Sequence, residues 1–352
     1  MVWKLPQNLK EKDSNLALDV VDLFGDTQET FLADFDWAAE CRDEDDIELD
    51  RKFAEKLNQA MAGYRAKLQP DDEVIILSVD AATTGRLAVT YYQEVPGNEF
   101  IDRVLHWHQN CTWPRWIKLH ETKKWVFINN TAPSPNEIAL AAYGTEQEKG
   151  YLTCNDKLRK ATIRRILPCI IGLSPKIPAD IVKAAVNRAS NPQAYSSFVW
   201  QNCVAPVACA MIKYNEFDGK VNSMELEKDR SYLFGQLLAI LEKVEERALY
   251  LQESKTDDRL TNAKKMWNVY TRRPAITYER LYSHIVRAYL KRLNPGARAK
   301  IENKIMQIIN VLRETDGFNN NTLNERYLLG YYEEREKLIK SKGEKSNEGG
   351  EE

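Results

Sequence analysis

The run DRSYLFGQLLAILEKVEERALYL at residues 229–251 sets Leu233, Leu237, Ile240, Leu241, Val244, Ala248 and Leu251 at three- and four-residue spacing, the stripe of an amphipathic helix. Gly235 sits inside this pattern although glycine costs a helix about 1 kcal/mol relative to alanine, which predicts another helix crossing close to it. Downstream, residues 296–313 repeat the arrangement with Ile301, Ile305, Ile308, Ile309 and Leu312. Further helices are predicted over 258–270, 277–293 and 323–340. Asp257-Asp258, Asn294-Pro295 and the Thr322 to Glu325 spacing are the expected start signals. Together these make an all-α bundle over 223–340. The final residues 341–352, SKGEKSNEGGEE, contain no apolar side chain and are expected to be disordered.

Working toward the N-terminus, helical spacing also covers 136–143, 155–171, 178–189 and 196–214, a helical middle domain expected over 131–222. The stretch NNTAPSPN at 129–136 breaks the pattern and marks its upper boundary. Residues 1–130 read as an acidic α/β region, helical from Met1 to about Pro70. Its period then changes, because EVIILSVD (73–80) and RLAVTYYQE (86–94) are β-branched and aromatic runs joined by a short polar link. A helix follows over 97–111, carrying Phe100, Val104 and Trp107 on one face. The fold class expected is therefore a mixed α/β N-terminal region with a small β element, followed by an all-α helical bundle.

Charge separates the halves. Residues 1–150 hold 16 Lys+Arg against 27 Asp+Glu, whereas residues 151–340 hold 32 against 21. The excess peaks at 254–313, with 14 Lys+Arg and 4 acids. Such a local charge repels itself, and a polyanion would offset it. Within 277–293, Arg280, His284, Arg287 and Lys291 fall on one helical face, at a spacing of about 5–6 Å that suits a phosphate backbone. Lys264, Lys265, Arg272 and Arg273 precede them, with Pro274 at the turn between two helices. A second group, Lys157, Arg159, Lys160, Arg164 and Arg165, surrounds the start of the 155–171 helix. The small residues Ala81 to Gly85 could let main-chain N–H groups approach an anion, with Arg86 beside them. No base-reading motif is present, so any nucleic-acid contact should be directed at the backbone. The other reading of the same charge is a structural or interaction subunit without direct nucleic-acid contact, its basic bundle facing the acidic half or a protein partner.

For catalysis the sequence offers little. It has no Walker loop, no GxGxxG, GxSxG or HExxH, and no cofactor is expected. His106, His108 and Cys111 resemble metal ligands, but a fourth is missing and helical spacing puts the two histidines on different sides. The six cysteines are scattered, as reduced thiols would be. No run approaches the roughly 20 apolar residues of a membrane span, and the first residues lack the apolar core of a signal peptide. The expectation is a cytoplasmic protein that is not an enzyme.

Several phrases resemble the large-subunit family of subtype I-C (Dvulg) CRISPR systems, the Cas-eight-c family. They are VDAATTGRLAVTYYQE (79–94), ILPCIIG (166–172) with IPADIVKAAVNRASNP (177–192), DRSYLFGQLLAILEKVEERAL (229–249), TNAKKMW (261–267) with RRPAITY (272–278), and NERYLLGYYEER (324–335). Gln236 departs from an arginine usual in the family, and Thr84 from an expected proline. The resemblance implies guide-RNA-directed surveillance, in which base pairing reads the target sequence while protein holds shape and backbone. It implies as partners the other CRISPR RNA complex subunits (backbone and handle-binding), target DNA and a separate helicase-nuclease effector, with no membrane. By this analogy Lys264, Lys265, Arg272, Arg273, Arg280, Arg287 and Lys291 contact DNA. Family members extend upstream of the position matching Met1, so the chain is expected to correspond to their C-terminal portion, without the region that reads the protospacer-adjacent motif. The C-terminal helices are also made separately in this subtype, and Met224 is the expected internal start here, giving a product from 224 to 352.

Overall fold

The computed structural model describes residues 72–83, 86–118, 125–128, 132–148, 150–217, 226–250, 261–293 and 295–340. The readings of 1–70 as helical, of Asp257-Asp258 as a cap, of Asn294 as a cap and of 341–352 as disordered lie outside these residues. Among the described residues the protein is mostly helical, with three sheets that are each a two-stranded antiparallel pair. The chain divides into two units, residues 1–185 with 201–220, and residues 186–200 with 221–352. The break expected near 130 thus falls inside the first unit.

In the first unit, β1 (Glu73–Thr83) and β2 (Arg86–Pro96) form the expected hairpin and run farther than their apolar pattern suggested, leaving only Thr84-Gly85 between them. Val74, Ile76 and Val95 are buried, and α1 (Gly97–Asn110) packs on the hairpin and buries Phe100, Ile101, Val104 and Trp107. Two short pairs follow, β3 (Arg115–Lys118) with β4 (Trp125–Ile128), and β5 (Thr145–Glu146) with β6 (Leu152–Thr153). Between them lies α2 (Pro135–Tyr143), which starts on a reciprocal capping box of Ser134 and Glu137. Helix α3 (Asp156–Ile170) is capped by Asn155, whose side chain accepts from the N–H groups of Lys157 and Leu158. Then come α4 (Ala179–Ala189) and α5 (Ala205–Phe217), the latter buried almost all round. A π-helical turn at Trp200–Val204 precedes α5, so the single helix expected over 196–214 is interrupted.

The second unit centres on α6 (Arg230–Tyr250) and α11 (Arg326–Lys340). Their contact is as close as Gly235 predicted. A Cβ at Gly235 would overlap the Tyr327 carbonyl oxygen and lie 2.8 Å from its carbon, and a Cβ at Gly330 would stand 2.8 Å from the Tyr232 carbonyl carbon. Around this pair run α7 (Asn262–Lys265), α8 (Trp267–Arg272), α9 (Pro274–Ala288) and α10 (Pro295–Glu314). Asn324 rather than Thr322 closes the start of α11, its side-chain oxygen accepting from the Arg326 N–H at 3.1 Å. Residues 186–200 complete the core of this unit. Trp200 meets Trp267, Tyr331 and Tyr332 at ring separations of 5.3, 5.9 and 5.7 Å, and Ser190 bonds the Tyr327 hydroxyl at 2.5 Å. A bundle cut at 223 would lack that tryptophan.

Candidate nucleic-acid interface

Helix α9 begins with Pro274 at its first position, where the missing N–H costs no hydrogen bond, three residues before the expected start. Asn320 accepts from the Ile276 N–H at 3.0 Å and satisfies a further open donor. Pro274, Ala275, Thr277, Tyr278, Leu281 and Ile285 are buried. The opposite face exposes Ile276, Glu279, Arg280, Ser283, His284 and Arg287, which line a depression of about 480 Å³. Beyond α9 a 3-10 turn, Leu290–Arg292, presents Lys291 and Arg292. Lys265, Arg272 and Arg273 are likewise exposed on the two short helices ahead of it.

Not one of Lys265, Arg272, Arg273, Arg280, Arg287 and Lys291 has a carboxylate partner within ion-pair distance among the described residues. Arg292, which charge counting alone did not single out, joins the group and stacks over the Tyr289 ring at 5.3 Å.

Lys264 departs from the expectation. It is 7% exposed, and its ammonium lies 3.3 Å from Glu242 and 4.0 Å from Glu246. Arg335 approaches the same two carboxylates at 3.3 Å each. Glu242 is fully buried, and a buried carboxylate of this kind needs its cations. Lys264 therefore belongs to the internal ionic network, not to the exposed row.

The second basic group is largely self-neutralised. Arg165 makes a bidentate contact with Asp180, at 2.7 and 2.5 Å, which holds the Asp180 carboxyl below its ordinary range. Arg159 and Lys160 both pair with Asp156. Arg164 is half-buried without an ion pair among the described residues. Arg86 lies at the start of β2, paired in register with Thr83, so it stands in a strand rather than in an anion-binding loop.

His284 stands in the middle of the cationic face, and its surroundings were not legible in the sequence. Its Nε2 is 3.2 Å from Nδ2 of Asn262, whose Nδ2 and main-chain N–H approach the two oxygens of Glu245 at 2.6 and 2.9 Å. Burial pushes the Glu245 carboxyl above its ordinary range, and the Asn262 donors oppose that shift. Among the described residues no three His, Cys, Asp or Glu side chains are grouped as metal ligands. Burial drives His108 down to about 4. None of the five described cysteines forms a disulfide with another described residue, and no described helix is long and apolar enough to cross a membrane.

Comparison with curated proteins finds no match. Residues 10–339 match a family model described as CRISPR-associated protein (Cas_Csd1).

Proposed function

Because the chain belongs to the Cas_Csd1 family of CRISPR-associated proteins, we propose that it is a non-catalytic, nucleic-acid-binding subunit of a type I-C surveillance complex. In this reading it contributes to guide-RNA-directed target binding, R-loop stabilisation and helicase-nuclease recruitment. The observation that carries the reading is the row of exposed cations from Lys265 to Lys291 without carboxylate partners among the described residues. Guanidinium and ammonium groups displayed this way displace counterions from phosphates and hold a backbone whatever its sequence. Recognition of sequence is then left to base pairing with the guide.

The test is co-expression of the chain with the neighbouring operon and guide RNA. The chain is expected to co-purify with the complex. A variant with Arg272, Arg273, Arg280 and Arg287 changed to Gln should still co-purify but bind target DNA more weakly. Loss of co-purification with unchanged DNA affinity would instead favour a structural subunit that makes no nucleic-acid contact. Failure of the unaltered chain to join any complex would remove the proposal.

A further inference from the structure

A chain of contacts behind His284 holds its ring in place. Glu245 is 2% exposed, and both its oxygens accept from Asn262, one from the main-chain N–H at 2.9 Å and one from Nδ2 at 2.6 Å. With both oxygens accepting from Asn262, its amide is set with the NH2 group inward. The second hydrogen of that NH2 is then directed at Nε2 of His284, 3.2 Å away. With Nε2 as the acceptor of that contact, the ring carries its N–H at Nδ1, and this is the tautomer taken in the proposal below. The Tyr289 ring packs edge-on at 5.7 Å and limits rotation of the imidazole. The ring lines the depression together with Ile276, Glu279, Arg280, Ser283 and Arg287, two cations against one carboxylate.

We propose that this depression seats a single phosphodiester of a nucleic-acid backbone between Arg280 and Arg287, with His284 as a neutral, preoriented N–H donor to a phosphate oxygen. Glu245 and Asn262 are positioning residues that act through His284. The inference rests on the nucleic-acid-binding reading above and adds a definite phosphate seat to what would otherwise be a diffuse charge field. A neutral donor and a cation differ in how their loss responds to salt. Removing an arginine contact lowers the slope of log affinity against log salt by about 0.9 for duplex DNA, whereas removing a neutral donor lowers affinity and leaves the slope alone.

The experiment uses the full chain and a labelled DNA duplex, titrated by fluorescence anisotropy over a salt series. His284→Phe should weaken binding about tenfold, as loss of one hydrogen bond to a charged oxygen does, with an unchanged slope. Asn262→Ala should weaken binding by a similar factor in the native chain and by nothing further in the His284→Phe background. His284→Gln, which keeps an N–H donor, should recover part of the loss. Nitrogen-15 spectra of labelled imidazole in the unaltered chain should show His284 protonated at Nδ1, and this readout stands even if a variant fails to fold. A proton on Nε2 overturns the proposal, as does His284→Phe with unchanged affinity or with a slope lowered by about one. The underlying reading fails separately, if Arg280→Gln and Arg287→Gln change neither affinity nor slope.

Discussion

Replacing Gly235 by alanine tests the closest contact in the bundle. The added Cβ would overlap the carbonyl oxygen of Tyr327 and stand 2.8 Å from its carbon and 2.9 Å from the Tyr331 nitrogen, where carbon atoms in contact ordinarily keep about 3.5–4 Å. All three atoms are backbone, so no side chain can turn aside. Helices α6 and α11 must separate by roughly 1 Å, loosening Leu237, Leu238, Leu328 and Tyr331, which are all buried. Overpacking costs about 1–3 kcal/mol, and against three backbone atoms that cannot turn aside the upper part, about 2–3 kcal/mol, applies; because helix propensity alone returns about 1 kcal/mol in favour of alanine, the net loss should be about 1–2 kcal/mol. At about 2–4 °C per kcal/mol, thermal unfolding of the second unit should fall by roughly 2–8 °C. Gly330→Ala should behave alike, since its Cβ would meet the Tyr232 backbone. The double variant should lose less than the two single losses combined, because one separation relieves both clashes. Circular dichroism melts give the answer. A neutral or stabilised Gly235→Ala would mean that propensity dominates and that the helices do not approach this closely.

Lys264→Met should destabilise the protein by on the order of 3 kcal/mol in denaturant titrations, because it removes a buried cation from Glu242, and should leave the salt dependence of DNA binding unchanged. A lowered salt slope with intact stability would put Lys264 back at the surface. His108, pushed from 6.5 to about 4 by burial, takes up a proton on unfolding before it does in the native state. Its contribution is full above pH 6.5 and is lost as pH falls toward about 4, a loss of up to about 3 kcal/mol. His108→Leu should flatten that part of the stability curve, and an unaltered curve would show that the ring is solvated. A product starting at Met224 lacks Trp200, so it should melt at a lower temperature than one starting at residue 186 and bind an apolar dye at the uncovered Trp267, Tyr331 and Tyr332. Equal melting temperatures would show that residues 186–200 add nothing to the bundle.

The long helices were legible because each carries several turns of an apolar stripe, which is why α6, α9, α10 and α11 lie near their expected ranges. Gly235 was legible for a sharper reason, since a residue that weakens a helix must be explained by what touches it. Lys264 was misread because α7 spans only Asn262–Lys265, too short for a period to say which side faces inward. The Arg165 and Asp180 pair is 15 residues apart and formed by tertiary packing between α3 and α4, beyond any local spacing rule. The pairs β3–β4 and β5–β6 were missed because strands of four and two residues show no alternation to count. The Glu245, Asn262 and His284 chain joins three helices, and the sequence carries no local signal of it.

The salt dependence of duplex DNA binding by the purified chain tests the central claim most directly. If Lys265, Arg272, Arg273, Arg280, Arg287 and Lys291, which are exposed and have no carboxylate partner among the described residues, each meet a phosphate, log affinity should fall against log salt with a slope of about −5, and changing the four arginines to Gln should bring it to about −2. Identical slopes for the two proteins would contradict the account, because the row would then hold no phosphates.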